Sequence, residues 1–143
     1  MATKKVNKKS FGRYVNGLEK HCGDSLQSAG FKFNYEDKFT IMEGFKYPSP
    51  YFKATPKSKE LKDVSSRAIL PITYKPDFHL PNEKVIIETK GFVRANDSFP
   101  LRWKLFMQYL MTEEMSDYTL FIPRNKTQVN DIIKLLQKWK KKN

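Results

Sequence analysis

Apolar residues recur at helical spacing through Phe11, Tyr14, Val15, Leu18, Cys22 and Leu26, the one-sided stripe of a helix that buries one face. Ser10 is a good N-cap residue and Gly30 a good C-cap residue, so this helix is predicted to start near the first and stop near the second. Phe31, Phe33 and Tyr35 then alternate with Lys32 and Asn34, the period of a half-buried strand, and Phe39 and Ile41 are placed as a continuation of the sheet. From Gly44 to Ser66 the period is lost. Pro48, Pro50 and Pro56 are scattered among aromatics and lysines, which predicts a long irregular segment. Tyr47, Tyr51 and Phe52 have the chemistry to stack on unpaired bases, but packing on the core is the expected role for them.

Regular patterning returns at Tyr74. Asp77 to Leu80 and Val85 to Glu88 form two short runs interrupted by Pro81, Asn82 and Glu83, as in a β-hairpin. A turn of two residues or of four gives the same register. Leu80 pairs with Val85, His79 with Ile86, Phe78 with Ile87 and Asp77 with Glu88. Alternation then assigns Phe78, Leu80, Val85 and Ile87 to one apolar face, and Asp77, His79, Ile86, Glu88 and Lys90 to the other.

Further along, a helix is predicted from Pro100 to about Met115, with Trp103, Phe106, Met107 and Leu110 inward. Tyr118 to Ile122 reads as a buried strand ended by Pro123. The last helix begins near Thr127, faces Val129, Ile132, Ile133, Leu136 and Trp139 inward, and ends in Lys140, Lys141 and Lys142. The element order predicts an α/β fold, a mixed central sheet flanked by helices. Residues 1–9 read as a basic flexible tail and residues 10–143 as a single domain with the irregular segment at about 44–66.

Composition narrows the function. At 143 residues the chain is one domain in size, and its formal net charge of +12 favours a polyanionic partner. DNA and RNA fit, because basic side chains release the counterions condensed on them. A ribosome-associated basic protein has the same charge signature. Cys22 is the lone cysteine and sits in the apolar row, so a core role is expected rather than a nucleophilic one. One cysteine with His21 and His79 is too small a set, wrongly spaced, for a closed zinc site. No apolar run has the length of a membrane span and no signal-like segment follows Met1, so a cytoplasmic location is expected.

The hairpin carries the chemistry. Directly opposed residues have Cβ atoms roughly 4.5–5.5 Å apart, and two like charges there destabilise a sheet unless something compensates. Hard carboxylate oxygens at that spacing suit Mg²⁺, which keeps several waters and takes one or two protein carboxylates beside a phosphate oxygen. Lys90, on the same face, has the charge to hold a nucleophilic water or to stabilise a phosphate in transition. Acids and lysines alternating with apolar residues are also what a solvated strand face looks like. Proline before Asp77, the alignment of the acids under either turn, and Gly91 after Lys90 narrow the pattern.

Pro76-Asp77 followed by Glu88-Thr89-Lys90 resembles the signature of the PD-(D/E)XK nuclease superfamily. Within it, Tyr74-Lys75-Pro76-Asp77-Phe78 and Glu88-Thr89-Lys90-Gly91 are similar to the site strands of the bacteriophage endonuclease I family of Holliday junction resolvases. The upstream pieces Asn16-Gly17-Leu18-Glu19 and Leu26 to Glu36 resemble that family's first helix and strand. Transposon end-cleaving nucleases share a comparable order. The resemblance implies a PD-(D/E)XK restriction-endonuclease-like fold and a Mg²⁺-dependent DNA endonuclease, with Mn²⁺ as a substitute. It implies catalytic roles for Glu19, Asp77, Glu88 and Lys90. Asp77, Glu88 and Glu19 would bind the metal, with the backbone carbonyl of Thr89 as a further ligand. Periodicity alone makes Glu19 a boundary residue of the helix. The resemblance also implies four-way-junction DNA as substrate, a homodimer that sets two sites against two strands, and a host-cytoplasmic setting if phage-encoded. Arg94, Arg102, Lys104 and His79 are weak DNA-contact candidates, with His79 expected at the rim. The segment between Glu36 and Tyr74 is longer than the bridge of the resolvases. A nuclease of linear DNA and a non-catalytic basic DNA-binding protein are the two alternative functions.

Overall fold

The computed structural model describes residues 11–91 and 98–142. The basic tail, the predicted cap Ser10 and Arg94 lie outside the described residues. The chain divides into two compact units, one of residues before Lys38 and from Lys75 onward, the other of Lys38–Tyr74.

The first unit contains α1 (Gly17–Ser28) and β1 (Asn34–Tyr35). The second holds six short strands, β2 (Phe39–Met42), β3 (Phe45–Lys46), β4 (Phe52–Lys53), β5 (Lys62–Asp63), β6 (Ala68–Ile69) and β7 (Ile72–Tyr74). The first unit resumes with β8 (Phe78–Leu80), β9 (Val85–Ile87), α2 (Phe99–Thr112), β10 (Thr119–Phe121) and α3 (Lys126–Lys141). Its sheet runs β1-β8-β9-β10, antiparallel for the first two pairs and parallel for β9 with β10. The predicted α/β class with a mixed sheet is therefore present.

The hairpin has the predicted register, Phe78 opposite Ile87, His79 opposite Ile86 and Leu80 opposite Val85. Its connection is the turn from Pro81 to Lys84, which Lys84 closes at φ 56°. Phe78, Leu80, Val85 and Ile87 enter one core with Cys22 and Leu26 of α1, Phe31, and Val129, Ile132 and Leu136 of α3. Burying these side chains contributes roughly 1.5–3 kcal/mol each. The opposite face is also closed. Ile86 is fully buried and His79 nearly so.

Several expectations need correction, among them Trp139, predicted inward but exposed on α3. Helix α1 starts seven residues after Ser10, because Gly12 at φ 59° and a Phe11–Tyr14 turn interrupt the chain and Asn16 caps instead, its Oδ1 accepting the Glu19 N–H at 2.9 Å. Val15, predicted inward, precedes the helix and is exposed. The stop at Gly30 is as expected: φ is +82° and the Phe31 N–H bonds the Leu26 carbonyl at 2.9 Å, closing the last turn. Met107 is exposed on α2, whose buried row is Phe99, Trp103, Phe106 and Leu110. Phe39 and Ile41 do not extend the central sheet, since β2 pairs antiparallel with β7 inside the second unit.

That second unit is also more regular than the sequence suggests. Strand pairs β2–β7, β3–β6 and β4–β5 are all antiparallel and nested, so Lys38–Tyr74 forms one long, interrupted hairpin. Each ladder spans only a few residues because prolines at 48, 50, 56 and 71 lack the donor a continuous ladder needs.

Candidate active site

Asp77 and Glu88 flank the last hydrogen-bonded pair of the hairpin, Phe78 with Ile87, and so end up opposite each other where β8 begins and β9 ends. Parallel pairing continues past β9: the Glu88 N–H bonds the Phe121 carbonyl and the Lys90 N–H the Pro123 carbonyl, both at 2.9 Å. The backbone that presents Glu88 and Lys90 is thus held from the β10 side. Helix α1 supplies Glu19. Asn16 and Glu19 join Asp77, Glu88, Thr89 and Lys90 around a cleft of about 370 Å³. The expected catalytic set, Glu19, Asp77, Glu88 and Lys90, lines this one cleft.

The three acids are only 6–7% exposed. Each has one oxygen bound to a backbone N–H: Glu19 Oε2 to Val15 at 3.0 Å, Asp77 Oδ2 to Thr89 at 2.8 Å, and Glu88 Oε2 to Asp77 at 3.0 Å. The Thr89 hydroxyl also donates to Asp77 Oδ2 at 2.7 Å, and the Tyr35 hydroxyl to Glu19 Oε2 at 2.5 Å. These bonds fix the carboxylate planes. Asp77 Oδ1 and Glu19 Oε1 accept no hydrogen bond among the described residues. Lys90 Nζ lies 3.6 Å from Glu88 Oε1 and 4.2 Å from the centre of the Phe99 ring. A lysine held between a carboxylate and an aromatic face keeps its charge near the acids.

Electrostatics agree with crowding. Burial pushes the Asp77 carboxyl up to about 8, the Glu88 charge adds to this, and the Thr89 hydrogen bonds offset part of it. Tyr35 is raised by burial and by its bond to Glu19, so its hydroxyl stays a donor. Cys22 is pushed up to about 12 by burial and then by the charges of Asp77 and Glu19, which makes it an inert core thiol, as expected.

Whether a cation suits the site turns on the donors. Among the described residues no three His, Cys, Asp or Glu side chains are grouped to enclose an ion by themselves. Mg²⁺ does not need that arrangement, since one or two carboxylates with water and a phosphate oxygen complete its shell. Burial and the neighbouring acids disfavour the ionised form of Asp77, and a divalent ion in the cleft would favour it. Hard oxygens are the right donor type. The residues fit.

The weaker candidates fare differently. Arg102 and Lys104 are exposed on α2, away from its buried row, and Arg94 falls outside the described residues. His79 is not at a rim. It is buried, with Nδ1 2.9 Å from Oδ2 of Asp37, which follows β1, and Nε2 3.0 Å from the hydroxyl of Tyr118, which precedes β10. A ring bonded at both nitrogens inside the fold is not a surface contact for DNA.

Two residues of the site escaped the sequence reading. Asn16 with Glu19 is an N-x-x-E capping arrangement, a signal legible in the sequence, with the glutamate at the third helical position reaching back to the preceding backbone. Tyr35 carried no such signal; only folding brings it to Glu19. A larger concavity, about 540 Å³, is lined by Arg13, Tyr14, Asp24, Gln27 and Lys32 among others. It offers one acid and no carboxylate pair. No protein-family model, curated protein or solved structure matches this chain. No helix among the described residues is long and apolar enough to cross a membrane.

Proposed function

We propose that the protein is a Mg²⁺-dependent endonuclease of the PD-(D/E)XK type, acting on branched DNA, most specifically a four-way junction, as a homodimer. The observation that carries the reading is the burial of Asp77 and Glu88 opposite each other, with Lys90 beside them and Glu19 in the same cleft. Asp77 and Glu88, with the Thr89 carbonyl, would hold the metal, and Glu19 completes the acidic cluster of the cleft. Bound there, it supplies Lewis-acid polarisation of a phosphoryl oxygen and a water of lowered pKa. The chain's own residues do the rest. Asp77 and Glu88 orient through their bonds to Thr89 and Asp77 backbone. Lys90 donates to the charge that builds on the phosphate or orients the water. Tyr35 and Val15 hold Glu19 in one rotamer. The net charge of +12 favours a nucleic-acid polyanion as substrate.

A second reading has an observation in its favour: each acid accepts a backbone N–H, which gives each a structural role without metal. Glu88→Gln separates the two. Glutamine keeps an oxygen to accept the Asp77 N–H while losing the charge. An end-labelled four-way junction and a matched linear duplex are incubated with wild type or Glu88→Gln, in Mg²⁺ or in excess chelator. Expected are paired symmetric cuts on the junction that need Mg²⁺ and fall on the order of 10²-fold or more in the variant. Equal cutting of both substrates would keep the nuclease and remove junction specificity. Intact DNA bound as tightly by the variant would favour the non-catalytic binding protein.

A further inference from the structure

The hairpin of Lys38–Tyr74 exposes rings that a soluble strand pair has no structural need to expose. Tyr47, Tyr51 and Phe52 are 50%, 41% and 53% exposed, which overturns the expectation that they pack into the core. Tyr47 and Tyr51 meet edge to face, their centroids 6.5 Å apart. By alternation Tyr51 and Lys53 share one face of the strand, and with Arg67 they line an open concavity of about 260 Å³.

The charges on that face are unusual in a second way. Lys53 lies directly opposite Lys62 in the ladder. Two like charges so placed destabilise a strand pair, and neither lysine, nor Arg67, has an ion-pair partner among the described residues. The acid next to Lys62 in sequence, Asp63, is occupied by the Ser65 N–H and hydroxyl. Between Lys38 and Tyr74 the chain carries seven basic residues and three acidic ones. An anion is the missing component of this face.

We infer that the hairpin is a binding arm for unpaired nucleic acid, with a base stacked on Tyr51 against the Tyr47 edge and the adjoining phosphates held by Lys53, Lys62 and Arg67. Cationic side chains interleaved with accessible rings are what a single strand requires, since every base has a π-face and paired bases hide theirs in the stack. A closed duplex would use the lysines and leave the rings idle. Single-strand binding by the arm is a property separate from strand scission, and it stands whether or not the acidic cleft is a nuclease.

The test uses the full chain carrying Glu88→Gln, so that no probe is cut, and measures by fluorescence anisotropy the affinity for an oligothymidine and for a blunt duplex. Tyr51→Ala is expected to weaken oligothymidine binding roughly fivefold or more while Tyr51→Phe keeps it, and to leave duplex binding unchanged. Lys53→Gln and Lys62→Gln are each expected to lower the slope of log affinity against log salt by about 0.7 for a single strand. Unchanged oligothymidine binding in both Tyr51→Ala and the lysine variants would overturn the inference. So would equal losses on duplex and single strand in the lysine variants with none in Tyr51→Ala, the mark of general electrostatic attraction. Wild-type cleavage is assayed separately. Loss of arm binding without any Mg²⁺-dependent scission would sink the nuclease and leave the arm, and the converse pattern would do the opposite.

Discussion

Tyr35 donates to Glu19 at 2.5 Å from the strand beside the site, and it is the side chain that ties the helix acid to the sheet. A hydrogen bond to a charged group contributes about 1.5–3 kcal/mol. Tyr35→Phe keeps the ring against Tyr14 and Phe78 but deletes the donor. The expected outcome is a loss of about 1–3 kcal/mol in urea unfolding and a tenfold to hundredfold lower single-turnover cleavage rate, on the order seen when a group supporting a metal ligand is removed. An unchanged rate with lowered stability would make Tyr35 a purely structural residue. Asp77, Glu88, Thr89 and Lys90 were legible before folding because they lie within one hairpin, where alternation and register suffice to place them. Tyr35 was not, because its position against Glu19 depends on how α1 crosses the sheet.

The way α1 meets the sheet depends on one close approach. A Cβ built on Gly23 would lie 2.2 Å from the Tyr14 hydroxyl oxygen and 2.3 Å from the ring carbon that bears it. In an exposed helix Gly→Ala gains about 1 kcal/mol. Here the ring must move, and it packs on Tyr35 at 5.0 Å and on Phe78 at 6.0 Å between centroids. Gly23→Ala is therefore expected to destabilise by about 1–3 kcal/mol, the usual cost of overpacking, with a fall in cleavage because Tyr14 presses on the residue that holds Glu19. A thermal melt beside an activity assay checks this, and a stabilised, fully active variant would contradict it. The start of α1 shows the limit of local signals: Ser10 and Asn16 are both good caps, and the glycine at 12 and the reciprocal bond from Glu19 select Asn16.

For the molecule as a unit, the raised Asp77 couples stability to pH. Its carboxyl has an ordinary value of 3.8 and lies at about 8 in the fold. Between those values the folded chain holds a proton that the unfolded chain has released. Stability is thus greatest toward the low end of that window and is lost as pH rises through the folded value. In chelator, the unfolding free energy measured in urea should fall from pH 4 to pH 8, with a slope from this group of at most about 1.4 kcal/mol per pH unit. Asp77→Asn should flatten that slope. Metal ligation needs the ionised carboxylate, so Mg²⁺ should restore stability most at the alkaline end of the window. An equal slope in wild type and variant would remove the buried pair as its source.

Periodicity placed the three helices, the hairpin and its register, and with them Asp77, Glu88 and Lys90 of the cleft, because those features depend on neighbours a few residues apart, whereas it left Glu19 a boundary residue of its helix. The burial of His79, the meeting of Tyr35 with Glu19 and the exposure of the Tyr47 and Tyr51 rings depend on contacts between distant segments, which no local pattern encodes. A ring among prolines and lysines, as in Lys46 to Lys53, reads the same in sequence whether it packs inward or faces solvent. In Lys38–Tyr74 the chain closes into short nested ladders with little apolar volume between them, and the rings stay outside.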